Sequence, residues 1–338
     1  MESNYSNETA FGIHNNVIKY TWIGYFLFVF LSSLIGDTLI LVASIKLRVF
    51  KLHSFIVVCI QHIAVCDLMV SFTSVLPRLV SLMAGGWVLG DALCAIGPFI
   101  MIYPVTVSLL LICLMTTSKL VILKFPSKSS YLTSNIGHLM CTFIWLSATN
   151  ISVALFMVDK NDVAFDYRSY SCQYGFSSET WKWLRPLIAL LNSIIPNLLV
   201  IGSTVPLVMY LVRARRHSKR SRGAVRWQGI LTTFITAAVY SISAIPYAVY
   251  RFLESQAGGV QDPDSSYFRL AVSFLFLNTL SNFYIYLFTV PSFRNYVQVR
   301  IRTQLLYFSS LRTGSSNCKL WRKYLLYMCI TIIYIYYT

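Results

Sequence analysis

Seven long apolar stretches, at 21–45, 54–82, 94–123, 136–158, 184–212, 228–252 and 267–289, run through this chain of 338 residues. Crossing a hydrocarbon core of about 30 Å takes roughly 20 apolar residues in a helix, and every one of the seven is long enough. Lipid offers nothing to bond a free backbone N–H or C=O, so segments buried in it must satisfy those groups internally, as helices do. The sequence therefore predicts an all-α membrane protein, a seven-transmembrane helix bundle. The connections are mostly short, so sequential helices should pack as antiparallel neighbours.

The charges sort by side. When the segments between spans are assigned alternately to two faces, none of the twelve Asp and Glu residues falls on the inner face. Ten lie in outer segments, and two, Asp37 and Asp67, lie inside spans. Of the 28 Lys and Arg residues, 20 fall on the inner side, counting Lys119 at a span end. A Lys/Arg bias sets membrane orientation, so the amino end is expected outside and the carboxyl end inside. The same distribution disposes of a nucleic-acid reading of the net charge of +16, because the cations sit in short connectors and a tail and not on one face. Charged residues make up 12% of the chain, against about 25% in soluble domains.

The chain divides into three regions: an outer leader at 1–20, a receptor-sized bundle at 21–290, and an inner helix and tail at 291–338. The leader has no basic segment followed by an apolar core, so the first span is expected to act as its own insertion signal. Asn4 and Asn7 open glycosylation sequons there, which suits an outer amino end. The connector at 213–227 holds seven Arg and Lys residues. It anchors topology, and a partner-facing role is compatible with that. Pro291 suits the first turn of a new helix. Phe293, Val297, Ile301 and Leu305 then recur every fourth residue with Arg294, Arg300 and Arg302 between them, the pattern of an amphipathic helix on the inner membrane surface. The apolar stretch 324–338 is short for a span and reads as an interfacial segment or an artefact of the gene model, not as an eighth spanning helix. Cys318, just before it, is either a palmitoylation site or an idle thiol.

Cys59, Cys66, Cys113 and Cys141 fall inside spans and read as small packing residues. Cys94, at the outer start of the third span, and Cys172, in the loop between spans four and five, face an oxidising compartment. A disulfide between them is predicted, pinning that loop over the bundle.

Several residues, in order, carry a resemblance. Asp67 follows Ala64-Val65-Cys66 in span two. Trp87-Val88-Leu89-Gly90 runs into Cys94. Trp145 stands in span four, Pro196 in span five and Pro246 in span six. Asn282-Phe283-Tyr284-Ile285-Tyr286 ends span seven, with Phe293 beginning the helix beyond. Across roughly residues 20–305 the chain resembles the rhodopsin-like G-protein-coupled receptors. The departures are specific. At the inner end of span three the family carries Asp/Glu-Arg-Tyr, and this chain has Ser118-Lys119-Leu120. The opposing acid of span six is replaced by Arg226, so no ionic latch is expected between these spans. Ala244 stands where the family usually has a tryptophan, Phe283 where it has a proline, and Thr204 where it has a tyrosine. By the resemblance, Ser118, Lys119, Pro246, Asn282 and Tyr286 form the switch.

Asp67 lies mid-membrane, where an ionisable group is costly and reads as functional. The resemblance implies that Ser108, Asn278 and Asn282 complete a sodium site with it, and oxygen ligands suit such a hard cation. Asp37 stands where the family normally has Asn. Two carboxylates close together in a low-dielectric core do not both ionise readily. Asp37 is then either a protonated hydrogen-bond donor or part of a cation- or proton-linked switch. Met101 stands where amine receptors carry Asp, so a biogenic amine lacks its usual counter-ion. By analogy the pocket wall comprises Met101, Val105, Asn192, Tyr247, Arg251, Val272 and Phe276. Arg251 either pairs with Glu254 or meets an anionic ligand.

His14, His53, His62, His138 and His217 show no metal-ligand spacing, and no catalytic motif appears. The expected function is a plasma-membrane receptor, not an enzyme, that binds an extracellular small molecule or peptide and passes the signal to a heterotrimeric G protein, with no cofactor beyond a sodium ion and membrane lipid as its surroundings. Two alternatives remain. One is a seven-helix receptor that couples poorly or signals constitutively. The other is a transporter, which should show inverted repeats and broken helices that the sequence lacks.

Overall fold

The computed structural model describes residues 16–46, 53–159, 163–174, 194–217, 222–256 and 266–312. Eight long helices run through them: α1 (Asn16–Lys46), α2 (Ser54–Ala84), α3 (Asp91–Lys124), α4 (Ser134–Asp159), α5 (Ile195–His217), α6 (Arg222–Gln256), α7 (Ser266–Thr289) and α8 (Pro291–Arg312). By length and apolar composition four are long enough to cross a membrane, over Asn16–Ile45, Ser54–Ala84, Asp91–Lys124 and Tyr267–Thr289. Ile195–Tyr210 and Leu231–Tyr247 are shorter apolar helices. With its 26 residues, α4 is about 39 Å long.

Six expected spans lie inside a helix. For the fifth, α5 covers 195–212, and 184–193 lies outside the described residues. The basic connector differs from expectation: α5 runs on to His217 and α6 starts at Arg222. Arg and Ala are good helix formers, so both helices continue past the apolar stretch and carry most of the connector's cations on helical turns.

Neighbours in sequence are neighbours in space for α1–α2, α2–α3, α3–α4, α5–α6 and α6–α7, while α3 also touches α5 and α6, and α7 returns to α1 and α2. The buried apolar residues form two clusters. The outer one includes Phe26 and Val29 of α1, Val70 and Val75 of α2, and Phe268, Val272 and Phe276 of α7. The inner one includes Ile40, Ile63, Cys66, Leu111, Tyr286 and Phe293. Between them, on α1, α2 and α7, lie Ser33, Asp37, Asp67, Ser71, Asn278 and Asn282, all buried. A polar layer thus crosses the bundle at mid-depth. Large apolar side chains such as Phe143, Leu146, Leu198 and Phe288 point outward, as a lipid-facing surface requires.

Two local features shape the outer end of the bundle. Pro77 lacks an N–H and its ring crowds the preceding turn, and α2 answers with a π turn over Ser71–Val75 just before it. The extra residue turns the outer part of α2 by about 100°, and Arg78, Leu79 and Leu82 are buried there. Gly85, at φ +82°, ends the helix in the left-handed conformation that glycine adopts without a Cβ penalty.

The second feature was not expected from sequence. A two-stranded antiparallel hairpin, β1 (Val163–Asp166) and β2 (Ser171–Tyr174), pairs Phe165 with Cys172. All four residues of β2 are buried, so the fold is all-α in its membrane part with a short β cover. α8 begins at Pro291, one residue after α7. Its Phe293 and Val297 pack into the inner cluster, and Arg294, Arg300 and Arg302 are exposed. The side chains of Ile301 and Leu305 and the stretch 324–338 lie outside the described residues.

Candidate functional site

The site has three levels: a covered outer pocket, the mid-depth polar layer and an inner contact between α3 and α6. At the top, Cys94 of α3 and Cys172 of β2 form a disulfide with Cα atoms 5.3 Å apart. It ties the hairpin to α3. Arg168, in the hairpin turn, ties the other side. Its Nε donates to Asp166 Oδ1 at 3.0 Å and its Nη1 to Tyr250 Oη of α6 at 3.1 Å, and its guanidinium lies 4.9 Å from the ring centre of Phe268 of α7. The hairpin therefore spans α3, α6 and α7. Tyr170, at φ 50°, closes the turn and is buried in the outer apolar cluster.

Below the hairpin the structure brings together most of the expected pocket wall. Met101, Val272 and Phe276 are buried, and Tyr247 packs against Phe268 with ring centres 6.4 Å apart. Asn192 and the side chain of Arg251 lie outside the described residues, as do Asn4, Asn7 and Cys318. Sequence reasoning missed Arg78. Its side chain is 3% exposed. Nη1 donates to Ser74 O at 3.0 Å, Nη2 to Met101 Sδ at 2.9 Å, and the guanidinium sits 5.0 Å from the centre of the Phe276 ring. The signal was present: a cation inside an apolar span, one residue after a proline.

In the polar layer Asn282 Nδ2 donates to Asp67 Oδ2 at 2.6 Å, linking α7 to α2. Ser33 Oγ donates to Asp37 Oδ2 at 2.5 Å within α1, and the Asp37 and Asp67 carboxyls lie close enough to interact electrostatically. A narrow cavity reaches this layer. It is lined by Asp67, Ser108 and Asn278 at its deep end and by Val105, Ala244 and Phe276 toward the outer pocket. Ala244 leaves open the space a large ring would fill. Among the described residues Ser108 Oγ, Asn278 Oδ1 and Asn282 Oδ1 have no hydrogen-bond partner. Buried oxygens are normally paired, so these atoms beside Asp67 fit the needs of a hard cation or a water.

At the inner end Ser118, Lys119 and Tyr286 are buried. Lys119 Nζ donates to Thr233 Oγ1 of α6. One residue along, Thr232 Oγ1 donates to Thr289 Oγ1 of α7 at 2.8 Å. Where sequence showed only the loss of an ionic latch, hydroxyl groups on adjacent residues of α6 join it to α3 and to α7. Pro246 lies within α6, half-buried, beyond Ala244. His62 is a hydrogen-bonded packing residue: Trp145 Nε1 donates to its Nδ1 at 3.1 Å, and its Nε2 lies 3.4 Å from His138 Nδ1.

Comparison with known proteins agrees with this geometry. The profile of the family described as 7 transmembrane receptor (rhodopsin family) matches residues 36–286. The chain is similar to a QRFP-like peptide receptor of Branchiostoma floridae, 24% identical over 161 residues, covering 46% of this chain and 42% of that receptor. It is also similar to neuropeptide Y receptor type 5 of Rattus norvegicus and of Mus musculus. Each is 30% identical over 128 residues, covering 38% of this chain and 28% and 27% of the two receptors. The matched stretches span less than half the length of these relatives.

Proposed function

This chain belongs to the rhodopsin family of seven-transmembrane receptors, and from that membership we propose that it is a plasma-membrane receptor, amino end outside, that passes an extracellular signal to a heterotrimeric G protein. The observation that carries this reading is the inner contact of Lys119 with Thr233, seated beneath a cavity that runs toward the outer pocket. A ligand can shift a two-state bundle only through different affinities for the two states. Here the outer pocket is framed by α3, α6 and α7, and the same three helices are joined at the inner end by Lys119–Thr233 and Thr232–Thr289. A ligand that favours a different spacing of these helices outside works against those two contacts inside.

In this reading Lys119, Thr233, Asn282 and Tyr286 form the switch, and the cationic turns of α5, α6 and α8 face the partner and anionic lipid. Asp67, Ser108, Asn278 and Asn282 would hold a sodium ion, whose charge offsets the Asp67 carboxylate and ties α2 to α3 and α7. Asn4 and Asn7 carry glycans on the outer leader. The similarity to a QRFP-like peptide receptor and to neuropeptide Y receptor type 5 supports a peptide among the ligand classes.

A ligand-library screen with a promiscuous G-protein readout tests the proposal, with acidic, lipid, amine and peptide classes all represented. A ligand-dependent response in cells carrying the receptor and none in cells without it is the expected result. Silence to every class, with basal signalling equal to receptor-free cells, removes the signalling role. A second reading, constitutive activity, is favoured by Ser118-Lys119-Leu120, because Lys lacks the planar fork of Arg. It predicts high basal signalling that falls in Lys119→Arg.

A further inference from the structure

Trp145, His62 and His138 form a chain of nitrogens whose donors and acceptors leave one arrangement of protons. An indole N–H only donates, so His62 Nδ1, 3.1 Å from Trp145 Nε1, must accept. A neutral imidazole has one donor and one acceptor. His62 therefore carries its proton on Nε2 and donates it to His138 Nδ1, 3.4 Å away. His138 then carries its own proton on Nε2, and its ring is exposed. Trp145 and His138 both belong to α4, so the half-buried His62 fastens α2 to α4 at two points.

One added proton breaks this arrangement. A charged His138 has an N–H on both nitrogens, so its Nδ1 turns from acceptor to donor and faces the Nε2–H of His62. If His62 moves its proton to Nδ1 in order to accept from His138, that N–H faces the indole N–H of Trp145. Turning either ring over does not help, because His62 then needs two acceptors and a neutral imidazole has one. Protonating His62 instead sets an N–H against Trp145 directly. In every charged form one of the two bonds becomes donor against donor. The surrounding groups do not offset this. Tyr103 of α3 packs on Trp145 with ring centres 5.5 Å apart, and its hydroxyl accepts from Thr149 Oγ1. Cys59 of α2 and Cys141 of α4 touch each other, with Lys119 of α3 beside Cys59. Asp67 is bonded to Asn282 of α7. Among the described residues no carboxylate pairs with either ring, so an imidazolium here has no fixed counter-ion.

We infer that Trp145, His62 and His138 are a proton-sensitive clasp between α2 and α4, closed when both rings are neutral and opened by acid in the cytosol. His138 is the fifth residue of α4, about 6 Å along the helix from its inner end, where cytosolic protons reach an exposed ring. That compartment rests on the amino end lying outside. Histidine ordinarily changes charge between about pH 5 and pH 8. The clasp's contribution is present at the upper end of that window and is lost as pH falls. Trp145 also packs on Tyr103, so opening is felt by α3, the helix that carries Lys119. The clasp goes beyond the receptor reading and depends on no ligand.

Thermal unfolding of the purified full-length receptor at fixed ionic strength, at about pH 8 and about pH 5.5, tests it. His62→Gln combined with His138→Asn puts non-titrating donors and acceptors in place of both rings. Every other ionisable group titrates in both proteins, so the difference between them is the readout. On acidification the wild type should lose about 2–4 °C more than the double variant. Trp145→Phe removes no titrating group, yet it should abolish that excess, because His62 is then free to accept from a charged His138. A packing role alone would lower the unfolding temperature of Trp145→Phe equally at both pH values and leave the excess in place. An acid loss in the wild type no larger than in the double variant, or an excess that persists in Trp145→Phe, overturns the inference. If either variant does not fold, His138→Asn alone takes its place: a smaller acid loss than in the wild type is expected, and an equal one overturns the clasp. Neither result bears on G-protein signalling, which the library screen reads separately.

Discussion

Gly36 of α1 and Phe283 of α7 approach so closely that a β carbon on the glycine would lie 2.6 Å from both Cβ and Cγ of Phe283. Phe283 stands where the resembling family has proline, and α7 runs unbroken through it from Ser266 to Thr289. The larger side chain needs room on α1, and Gly36 supplies it. Gly36→Ala places its methyl group against the root of the ring and not a flexible tip, so the helices must part. The expected cost is about 1–3 kcal/mol, read as a lower unfolding temperature. Gly24 of the same helix has nothing within 4 Å of its would-be β carbon, so Gly24→Ala should leave stability unchanged or raise it by up to about 1 kcal/mol. Equal effects at the two positions would remove the close packing of α1 on α7.

The polar layer is expected to respond to sodium. In the wild type, sodium in place of a large organic cation should raise the unfolding temperature by about 2–4 °C, and Asp67→Asn should abolish that rise. Asp37→Asn tests the second carboxyl. If Asp37 acts only as a hydrogen-bonded packing group beside Ser33, the variant keeps the wild-type response to both sodium and pH. A changed response assigns it to the cation or proton balance of the layer.

The hairpin cover should depend on the disulfide. Cys94 and Cys172 are 78 residues apart in sequence, and losing a native bridge that closes a loop of that order costs about 2–5 kcal/mol. Replacing both with Ser should lower stability by that amount, and reductant should do the same to the wild type but not to the double variant. Arg168→Gln frees the opposite side from Tyr250 and Phe268, so adding it to the double variant should lower stability further.

Much of this arrangement was legible in the sequence. Apolar runs long enough to span lipid admit few backbone structures, which is why the helices fall where the spans were read. Asp67 and Asn282 were paired by resemblance, and their carboxyl and amide do meet across α2 and α7. What stayed hidden depends on relations between distant residues. Thr233 is an ordinary hydroxyl in an apolar run until α3 brings Lys119 to it. Gly36 looks like any small residue until Phe283 fills the space beside it. The cation at Arg78 was visible inside an apolar span, but its inward direction depends on a local effect, the π turn before Pro77, which shifts the helical phase. The hairpin strands are four residues each, too short for their alternation to stand out within a connecting loop.

The charge distribution predicts the topology, and the prediction has a direct check. An epitope placed at 218–221, between α5 and α6, should be unreachable by antibody in intact cells and reachable after permeabilisation. A tag within 1–15 should be reachable in both. The reverse pattern would invert the bundle and put the cationic turns outside.

The contact between Lys119 and Thr233 carries the account of signalling, and guanine-nucleotide exchange on purified G protein by receptor in lipid discs tests it. Thr233→Val keeps the shape of the side chain and deletes the acceptor, removing a hydrogen bond to a charged group worth about 1.5–3 kcal/mol. Loss of that much from the closed state alone corresponds to a rise of roughly 10- to 100-fold in the open-to-closed ratio. The expected result is basal exchange above receptor-free discs, raised in Thr233→Val and returned toward wild type in Thr233→Ser. Exchange equal to receptor-free discs in the wild type and both variants, across all G-protein classes, would contradict it.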